Sequence, residues 1–370
     1  MEKKNTWETY SSKQLKELEK INAQYRDFLD NGKTERECID TIVNTIEKSG
    51  YRELESLIKE GTALKTGDKV YSVWMNKSIA MFQIGRKPMT DGMNILGAHI
   101  DSPRLDVKQN PLYEDGGFAY LDTHYYGGVK KYQWVTIPLA IHGVIVKKDG
   151  TCVEINIGEN EDDPVFFVSD LLIHLAQEQL EKKAAKIIEG EALDIIVGNK
   201  PLLIDKKDKK KDEKEAGKEA VKAGVLDILK ETYDIHEEDF VSAELEIVPA
   251  GKAREAGFDR SMILAYGQDD RVCAYTSLAA MLNVEAPKRT SCCILVDKEE
   301  IGSVGATGMH SRFFENTIAE ILALTGDYND LRLRRTLQNS YMLSSDVSAA
   351  FDPNYPSEKK KKNCAYFGKG

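Results

Sequence analysis

Four short apolar runs, far apart in the chain, each end in histidine, aspartate or glutamate. Residues 94–98 lead to His99 and Asp101, residues 262–266 to Asp269 and Asp270, residues 291–296 to Glu299 and Glu300, and residues 341–345 to Asp346. Ligand sites of open α/β sheets gather at the carboxyl ends of strands, so these endings predict one convergent site. Nitrogen and oxygen donors without sulfur suit zinc or a similar divalent metal.

Length and charge limit the classes of protein that this chain can belong to. At 370 residues it predicts about two domains, and its net charge of -10 argues against a nucleic acid partner. The first ten residues lack the apolar core of a signal peptide, and no run of 18 apolar residues occurs, so we expect a cytoplasmic protein without a membrane partner. Six scattered cysteines without a Cys-x-x-Cys spacing predict reduced thiols.

The spacing of the four endings also predicts an insertion. About 170 residues separate His99 from Asp269, which is far more than an ordinary loop. We therefore expect a first catalytic part at 1–105, an inserted domain at 106–250 and a second catalytic part at 251–370. Within the insertion we predict a hairpin of 134–146 with 151–157, helices at 164–186 and 219–233, a charged loop at 206–218 and a strand at 243–248.

The remaining segments alternate helix and strand. Leu15, Leu18 and Ile21 recur at helical spacing, and Thr34 with Glu37 forms a capping box before a second helix. Residues 70–74 and 78–84 predict a strand pair, and residues 312–324 a helix. Together with the four apolar runs, this is the βαβ order of an α/β fold.

Taken singly, the polar endings leave several interpretations open. His99 and Asp101 lie on one side of an extended chain, where the carboxylate could orient a metal-bound imidazole, although a lone histidine on a strand is more often an ordinary core residue. Asp269 and Asp270 could cap the helix that follows or bridge two cations. Glu299 and Glu300 follow a buried strand, so one could bind a metal and the other its water.

Taken as a set, the endings indicate a two-metal hydrolase. One imidazole and three carboxylates supply most of a two-metal site, and the spare carboxylate of the glutamate pair can act as general base on an activated water. The glycines at 302, 305 and 308 resemble a phosphate-binding loop, but the adjacent carboxylates of Glu299 and Glu300 would repel a phosphate.

Four motifs in order resemble those of the aspartyl aminopeptidase and aminopeptidase I family, with the bacterial branch nearest. They are Gly-Ala-His-Ile-Asp-Ser-Pro-Arg-Leu from Gly97, Gly-Gln-Asp-Asp-Arg from Gly267, Asp-Lys-Glu-Glu-Ile-Gly-Ser from Asp297, and Ser-Ser-Asp-Val-Ser-Ala-Ala-Phe-Asp-Pro-Asn-Tyr from Ser344. The resemblance implies a mixed-sheet α/β/α sandwich metallopeptidase domain, interrupted by a β-rich dimerisation domain, and a homo-oligomer that is a dimer-based dodecamer.

The resemblance also implies roles for individual residues in removing N-terminal amino acids from peptides. His99, Asp269, Glu300 and Asp346 would bind two divalent ions, zinc or alternatively manganese or cobalt, with Asp269 bridging. Glu299 would be the catalytic base and Asp101 the support of His99. His174 matches a histidine that reaches a neighbouring subunit's substrate pocket, although a plain interpretation places it on a helix surface or in the core.

One expected ligand is missing from the pattern. The family has a last metal-binding histidine beyond the Asp346 motif, whereas this chain ends at Gly370, and His310 comes too early in the order to replace it. We therefore expect a C-terminally truncated form of uncertain activity. A deacylase or carboxypeptidase of the same superfamily, and a non-catalytic self-assembling scaffold, are the alternatives. The sequence does not indicate whether acidic or neutral N-terminal residues are preferred.

Overall fold

The computed structural model describes residues 4–202 and 219–369, and the charged loop predicted at 206–218 lies outside them. Its α-helices are α1 (Ser12–Asp30), α2 (Glu35–Glu47), α3 (Leu54–Glu60), α4 (Gln177–Leu180), α5 (Ala220–Tyr233), α6 (Gln268–Leu282), α7 (Phe313–Leu324) and α8 (Asp330–Gln338). Its strands are β1 (Arg52–Glu53), β2 (Lys69–Trp74), β3 (Ser78–Gln83), β4 (Asn94–His99), β5 (Arg104–Asp115), β6 (Phe118–Tyr126), β7 (Leu139–Val146), β8 (Cys152–Ile157), β9 (Ile195–Gly198), β10 (Ala243–Pro249), β11 (Arg254–Ala256), β12 (Met262–Leu264), β13 (Ser291–Val296) and β14 (Tyr341–Ser344).

The chain separates into two compact units. One comprises the residues up to Asp101 together with those from Ala253 onward, and the other comprises Ser102–Lys252. The sequence predicts the inserted domain at 106–250. All four of the polar endings noted in the sequence belong to the first unit.

A mixed six-stranded sheet forms the centre of the first unit, in the order β1-β2-β3-β13-β4-β14. β13, β4 and β14 are parallel, whereas β3 runs antiparallel to β13. The carboxyl ends of β4, β13 and β14 therefore lie at one edge of the sheet, where His99, the Glu299–Glu300 pair and Asp346 follow. The α/β class with a mixed sheet is confirmed.

Both faces of this sheet carry a hydrophobic core. Along β3, Ile79 and Met81 pack in one cluster with residues of α1, α2 and α6, while Ala80 and Phe82 pack in the other with residues of α3, α7 and α8. Successive strand residues point to opposite faces, so a nearly continuous apolar strand needs helices on both sides. The result is the α/β/α sandwich.

The two N-terminal helices form where the sequence predicts them. Thr34 caps α2, accepting a hydrogen bond from the Glu37 N–H at 3.2 Å, while the Glu37 carboxylate accepts from the Thr34 N–H at 3.0 Å. This reciprocal pair satisfies two backbone donors that the helix itself leaves unpaired. The α2 residues that face the sheet, Ile39, Ile42 and Ile46, are fully buried.

An antiparallel sheet of order β8-β7-β10-β5-β6-β9 forms the second unit. The predicted hairpin is confirmed, since β7 pairs with β8 and Gly150 adopts a φ of 88° in the connecting turn. Its first strand begins at Leu139 rather than at residue 134. Thr136 has a φ of 63°, which breaks the extended chain before Pro138.

The helix predicted for residues 164–186 is wrong. Only Gln177–Leu180 is α-helical there, and residues 166–168 form isolated bridges to other segments. Four apolar side chains within residues 171–175 are more than half exposed, namely Leu171, Leu172, Ile173 and Leu175. They follow one another instead of lying on one helix face, and the Asp170 carboxylate accepts a hydrogen bond from the next backbone N–H, which competes with helix formation.

The apolar run at 262–266 does not form a strand of the central sheet, which corrects a second prediction. Only Met262–Leu264 is extended, and it pairs with Arg254–Ala256 in a separate two-stranded ribbon. Met262 and Leu264 are 44% and 69% exposed, so the run is not a buried strand. Its apolar composition alone could not distinguish an exposed ribbon from a core strand.

The helices and the cysteines also bear on the class of protein. Among the described residues, no helix combines the length and the apolar character needed to cross a membrane. All six cysteines are free thiols, and the adjacent Cys292 and Cys293 are fully buried on opposite faces of β13.

Candidate metal centre

His99 is the last residue of β4 and is only 3% exposed. Its Nδ1 lies 3.0 Å from the backbone oxygen of Asp101 and 3.3 Å from the Asp101 carboxylate. Both oxygens are acceptors, so Nδ1 carries a proton. Nε2 therefore faces the opposite side, where Asp269 Oδ1 lies at 3.3 Å and Glu299 Oε2 at 3.8 Å.

Asp101 is fully buried and links β4 to the turn that follows β13. One of its carboxylate oxygens accepts the Glu299 N–H and the other accepts the Glu300 N–H, each at 3.1 Å. A single carboxylate therefore orients the imidazole of His99 and fixes the backbone of the glutamate pair. This second task was not predicted, because the two segments lie almost 200 residues apart, with 198 residues from Asp101 to Glu299.

Asp269 and Asp270 lie at the start of α6 with φ/ψ values that are not helical, and the peptide bond between them is cis. Gly267, and neither aspartate, occupies the N-cap position of α6. The Asp269 side chain is 54% exposed, whereas Asp270 is fully buried and both of its carboxylate oxygens are buried without a hydrogen-bond partner among the described residues. The capping interpretation therefore does not describe this pair.

Asp346 follows the end of β14 and is exposed. One ligand atom each from His99, Asp269 and Asp346 lies within 4.8 Å of the others. These residues come from three separate chain segments, and this is the one group of metal-ligand type found in the part of the chain that the structure describes. Glu300 is not a member of this group, although its pKa depends on Asp269 and His99.

Burial, with repulsion between neighbouring carboxylates as a smaller cause, raises the pKa values of the acids at this site. Burial, followed by repulsion from Asp269, raises the pKa of Glu300 to about 7. Burial also raises the pKa of Asp270 to about 6 and that of Asp269 above its usual range, the latter opposed by His99. Burial alone would lower the pKa of His99, but hydrogen bonds and attraction from Asp101 outweigh it and raise that pKa to about 9. A cation bound here would relieve this repulsion.

His174, the remaining predicted site residue, belongs to the second unit. It is exposed, and it lies between Ile173 and Leu175 in the irregular segment that replaces the predicted helix. Neither the helix-surface nor the core interpretation describes this placement. Three residues near the site that the sequence did not single out are Ser78, Asp297 and Thr307, which are connected by hydrogen bonds.

Comparison with known proteins identifies the family of this chain. The model of the aminopeptidase I zinc metalloprotease (M18) family matches residues 28–370. A Clostridium acetobutylicum protein named probable M18 family aminopeptidase 1 is 62% identical over 369 residues, covering 100% of this chain and 77% of the relative. The crystal structure of an M18 family aminopeptidase from Thermotoga maritima is 43% identical and superposes with a TM-score of 0.90, covering 100% of this chain and 78% of that one.

A more distant structure shares the fold alone. The mApe1 dodecamer of S. cerevesiae is 20% identical, with a TM-score of 0.73, and the match covers 95% of this chain and 76% of that chain. The family model and the bacterial relatives, by contrast, match over nearly the whole chain at high identity. This chain therefore belongs to the aminopeptidase I (M18) family of zinc metalloproteases and is a metal-dependent aminopeptidase.

Proposed function

We propose that His99, Asp269, Glu300 and Asp346 hold two divalent ions, with zinc as the first choice and manganese or cobalt as alternatives. The observation that carries this proposal is the convergence of His99, Asp269 and Asp346 within 4.8 Å. The donor set fits, since imidazole and carboxylate ligands are those of catalytic zinc. The buried Asp270 carboxylate, which has no hydrogen-bond partner among the described residues, also favours a positive charge nearby.

When bound, such an ion pair polarises a carbonyl and lowers the pKa of water toward about 7. Glu299 is the general base in this proposal, because its carboxylate is 48% exposed and lies 3.8 Å from His99 Nε2. It removes one proton from the attacking water as the oxygen adds to the scissile carbonyl carbon. Glu299 then passes that proton to the leaving nitrogen as the C–N bond breaks, which releases the N-terminal amino acid.

Replacing Glu299 by glutamine tests this role. We expect Glu299→Gln to reduce kcat on an aminoacyl anilide at least about 100-fold, while the zinc content stays that of the unsubstituted protein. Glu320→Gln on α7, an exposed glutamate of the same unit, is the matched control and should leave kcat unchanged. Near-normal turnover by Glu299→Gln would exclude it as the base, and loss of zinc would indicate a ligand instead.

We further propose that residues 106–250 form a dimerisation domain within a dodecamer, and that His174 reaches the substrate pocket of a neighbouring copy. The exposed side chains of Leu171, Leu172, Ile173 and Leu175 support an interface at this segment, because monomers rarely expose such contiguous apolar groups. The dodecamer of the S. cerevesiae relative is consistent with assembly. The six free thiols support a cytoplasmic location.

Light scattering of variants tests the interface. Ile173→Asp should reduce the molar mass of the assembly, because it places a charge in an apolar contact. Leu331→Asp on α8, also more than half exposed, is the control and should leave the mass unchanged. His174→Ala should raise KM or lower kcat without changing the mass. Equal masses for Ile173→Asp and the unsubstituted protein would argue against an interface here.

A further inference from the structure

The chain that carries Glu299 and Glu300 leaves β13 and returns almost to its starting point. Asp297, the residue after β13, is fully buried, and Thr307, ten residues further on, is 5% exposed. The hydroxyl of Thr307 donates a hydrogen bond of 2.5 Å to Asp297 Oδ2. This contact closes a loop, residues 297–307, that contains the glutamate pair.

Both ends of this loop are also attached to the first residue of β3. The Ser78 hydroxyl donates to the backbone oxygen of Thr307 at 2.6 Å and accepts the backbone N–H of Asp297 at 3.2 Å. Ser78 is fully buried. Next to it, the indole N–H of Trp74 donates to the Ala306 oxygen at 2.8 Å. The base of the loop is thus fixed to the β2–β3 hairpin by three hydrogen bonds, and the Asp297–Thr307 contact joins its two ends.

Burying the Asp297 carboxylate at the base of this loop is energetically unfavourable. Asp297 lies 3.8 Å from the Lys298 ammonium, and the charged groups of Glu35 and Lys77 also act on it. Removing a carboxylate from water is unfavourable unless hydrogen bonds and charges compensate. A hydrophobic residue of similar size would fill this space without that cost, so packing alone does not account for the Asp297–Thr307 pair.

The opposite side of the loop is held by Asp101, which accepts the N–H groups of Glu299 and Glu300. We propose that Asp297, Thr307 and Ser78 are positioning residues, which fix the loop so that the Glu299 carboxylate stays beside His99. The inference rests on the proposed role of Glu299. Without the Asp297–Thr307 contact, only the hydrogen bonds of Ser78 and Trp74 would hold the base of the loop, and it could shift. Shifts of about 1 Å at a reacting group can lower rates 100-fold.

Three threonine variants separate positioning from simple stabilisation. Thr307→Val removes the hydroxyl and keeps the shape, while Thr307→Ser keeps the hydroxyl. Thr317→Val is the matched control, because Thr317 is 4% exposed and its hydroxyl also donates one hydrogen bond, to Phe313 within α7. We measure kcat and KM on an aminoacyl anilide with saturating zinc, and amide hydrogen exchange of residues 299–303 in the metal-free protein.

Thr307→Val should lower kcat at least tenfold with KM within about twofold, and should accelerate exchange of the Glu299 and Glu300 amides. Thr307→Ser should keep kcat and the amide exchange rates close to those of the unsubstituted protein. Thr317→Val should change neither kcat nor the exchange rates. If Thr307→Val does not fold, Ser78→Ala, which removes a different contact of the same loop, should show the same pattern.

Two results would overturn the inference. One is a kcat of Thr307→Val equal to that of Thr317→Val, and the other is amide exchange in residues 299–303 that the substitution leaves unaltered. An unsubstituted protein without aminopeptidase activity would instead count against the proposed function. The exchange measurement still decides in that case whether the Asp297–Thr307 contact holds the loop.

Discussion

The two sides of the candidate metal centre differ in how firmly the fold holds them. On one side, His99 ends a strand that pairs with neighbours on both edges, and the fully buried Asp101 fixes its ring. On the other side, Asp346 follows β14, an edge strand whose four residues are all exposed. The buried side is preorganised by these contacts, whereas Asp346 lies on an exposed strand edge. Four experiments test this difference between the two sides.

The largest effect is expected on zinc affinity when the pH is changed, because pH sets the protonation of His99 on the buried side. The His99 pKa of about 9 means that its ring is protonated at neutral pH in the metal-free protein, and that proton must leave when an ion binds. Zinc affinity should therefore rise about tenfold per pH unit between pH 7 and 9, and more steeply between pH 6 and 7, where Glu300, with a pKa of about 7, must also lose its proton. Competition with a chelator measures this dependence. Asp346→Asn should weaken binding but keep this slope. A zinc affinity that does not change with pH would contradict the proposal that His99 is a metal ligand.

Substituting the second carboxylate of the buried side should affect both binding and folding. Asp101→Asn should weaken zinc binding about 10–100-fold, because residues that orient a ligand contribute on that scale. It should also lower the free energy of unfolding by about 1–3 kcal/mol, since it disturbs the amides of Glu299 and Glu300. Asp346→Asn, at an exposed position, should change the free energy of unfolding by less than about 0.5 kcal/mol. If Asp101→Asn and Asp346→Asn destabilised the protein equally, the buried and exposed sides of the site would not differ in how firmly they are held.

The metal-free protein should become less stable as pH rises. His99 and Glu300 both have raised pKa values, about 9 and about 7, so the folded state binds their protons more tightly than the unfolded chain does. The stabilisation is present at low pH and is lost as pH rises through these values. We expect a Tm about 2–4 °C lower at pH 9 than at pH 6 in the presence of a chelator, by calorimetry. His99→Gln should lose most of this dependence.

The smallest effect is expected far from the centre. Thr34→Ala removes the cap of α2 and should cost about 1 kcal/mol of stability by denaturant titration. Zinc affinity should stay unchanged, because the cap contacts neither side of the site. A change in affinity would show that global stability, and not local preorganisation, determines binding.

Local patterns predicted much of the fold. The capping box of α2, the β7–β8 hairpin and the parallel order of β4, β13 and β14 all follow from spacing, turn residues and strand composition. The helix predicted at 164–186 and the strand predicted at 262–266 are wrong, because apolar composition does not reveal which side chains find a partner to pack against. Both segments leave large apolar side chains exposed instead, among them Ile173 and Leu264.

The sequence predicted the candidate ligands of the site but not the hydrogen bonds that support them. Ligand types at strand ends predicted His99, Asp269 and Asp346, which the structure brings within 4.8 Å, while their role as ligands stays a prediction. The contacts that support them join residues distant in the chain. Ser78 and Thr307 are separated by 229 positions, and no local pattern indicates that their polar groups meet.

The exposed edge of β14 has a practical consequence for handling the protein. Its inner edge pairs with β4, whereas no strand among the described residues pairs with its outer edge. Tyr341 and Leu343 are 70% and 69% exposed beside those backbone groups. An open strand edge with apolar side chains is a template for edge-to-edge aggregation. Storage at low protein concentration, or a charged substitution at Leu343, should keep preparations clear of precipitate.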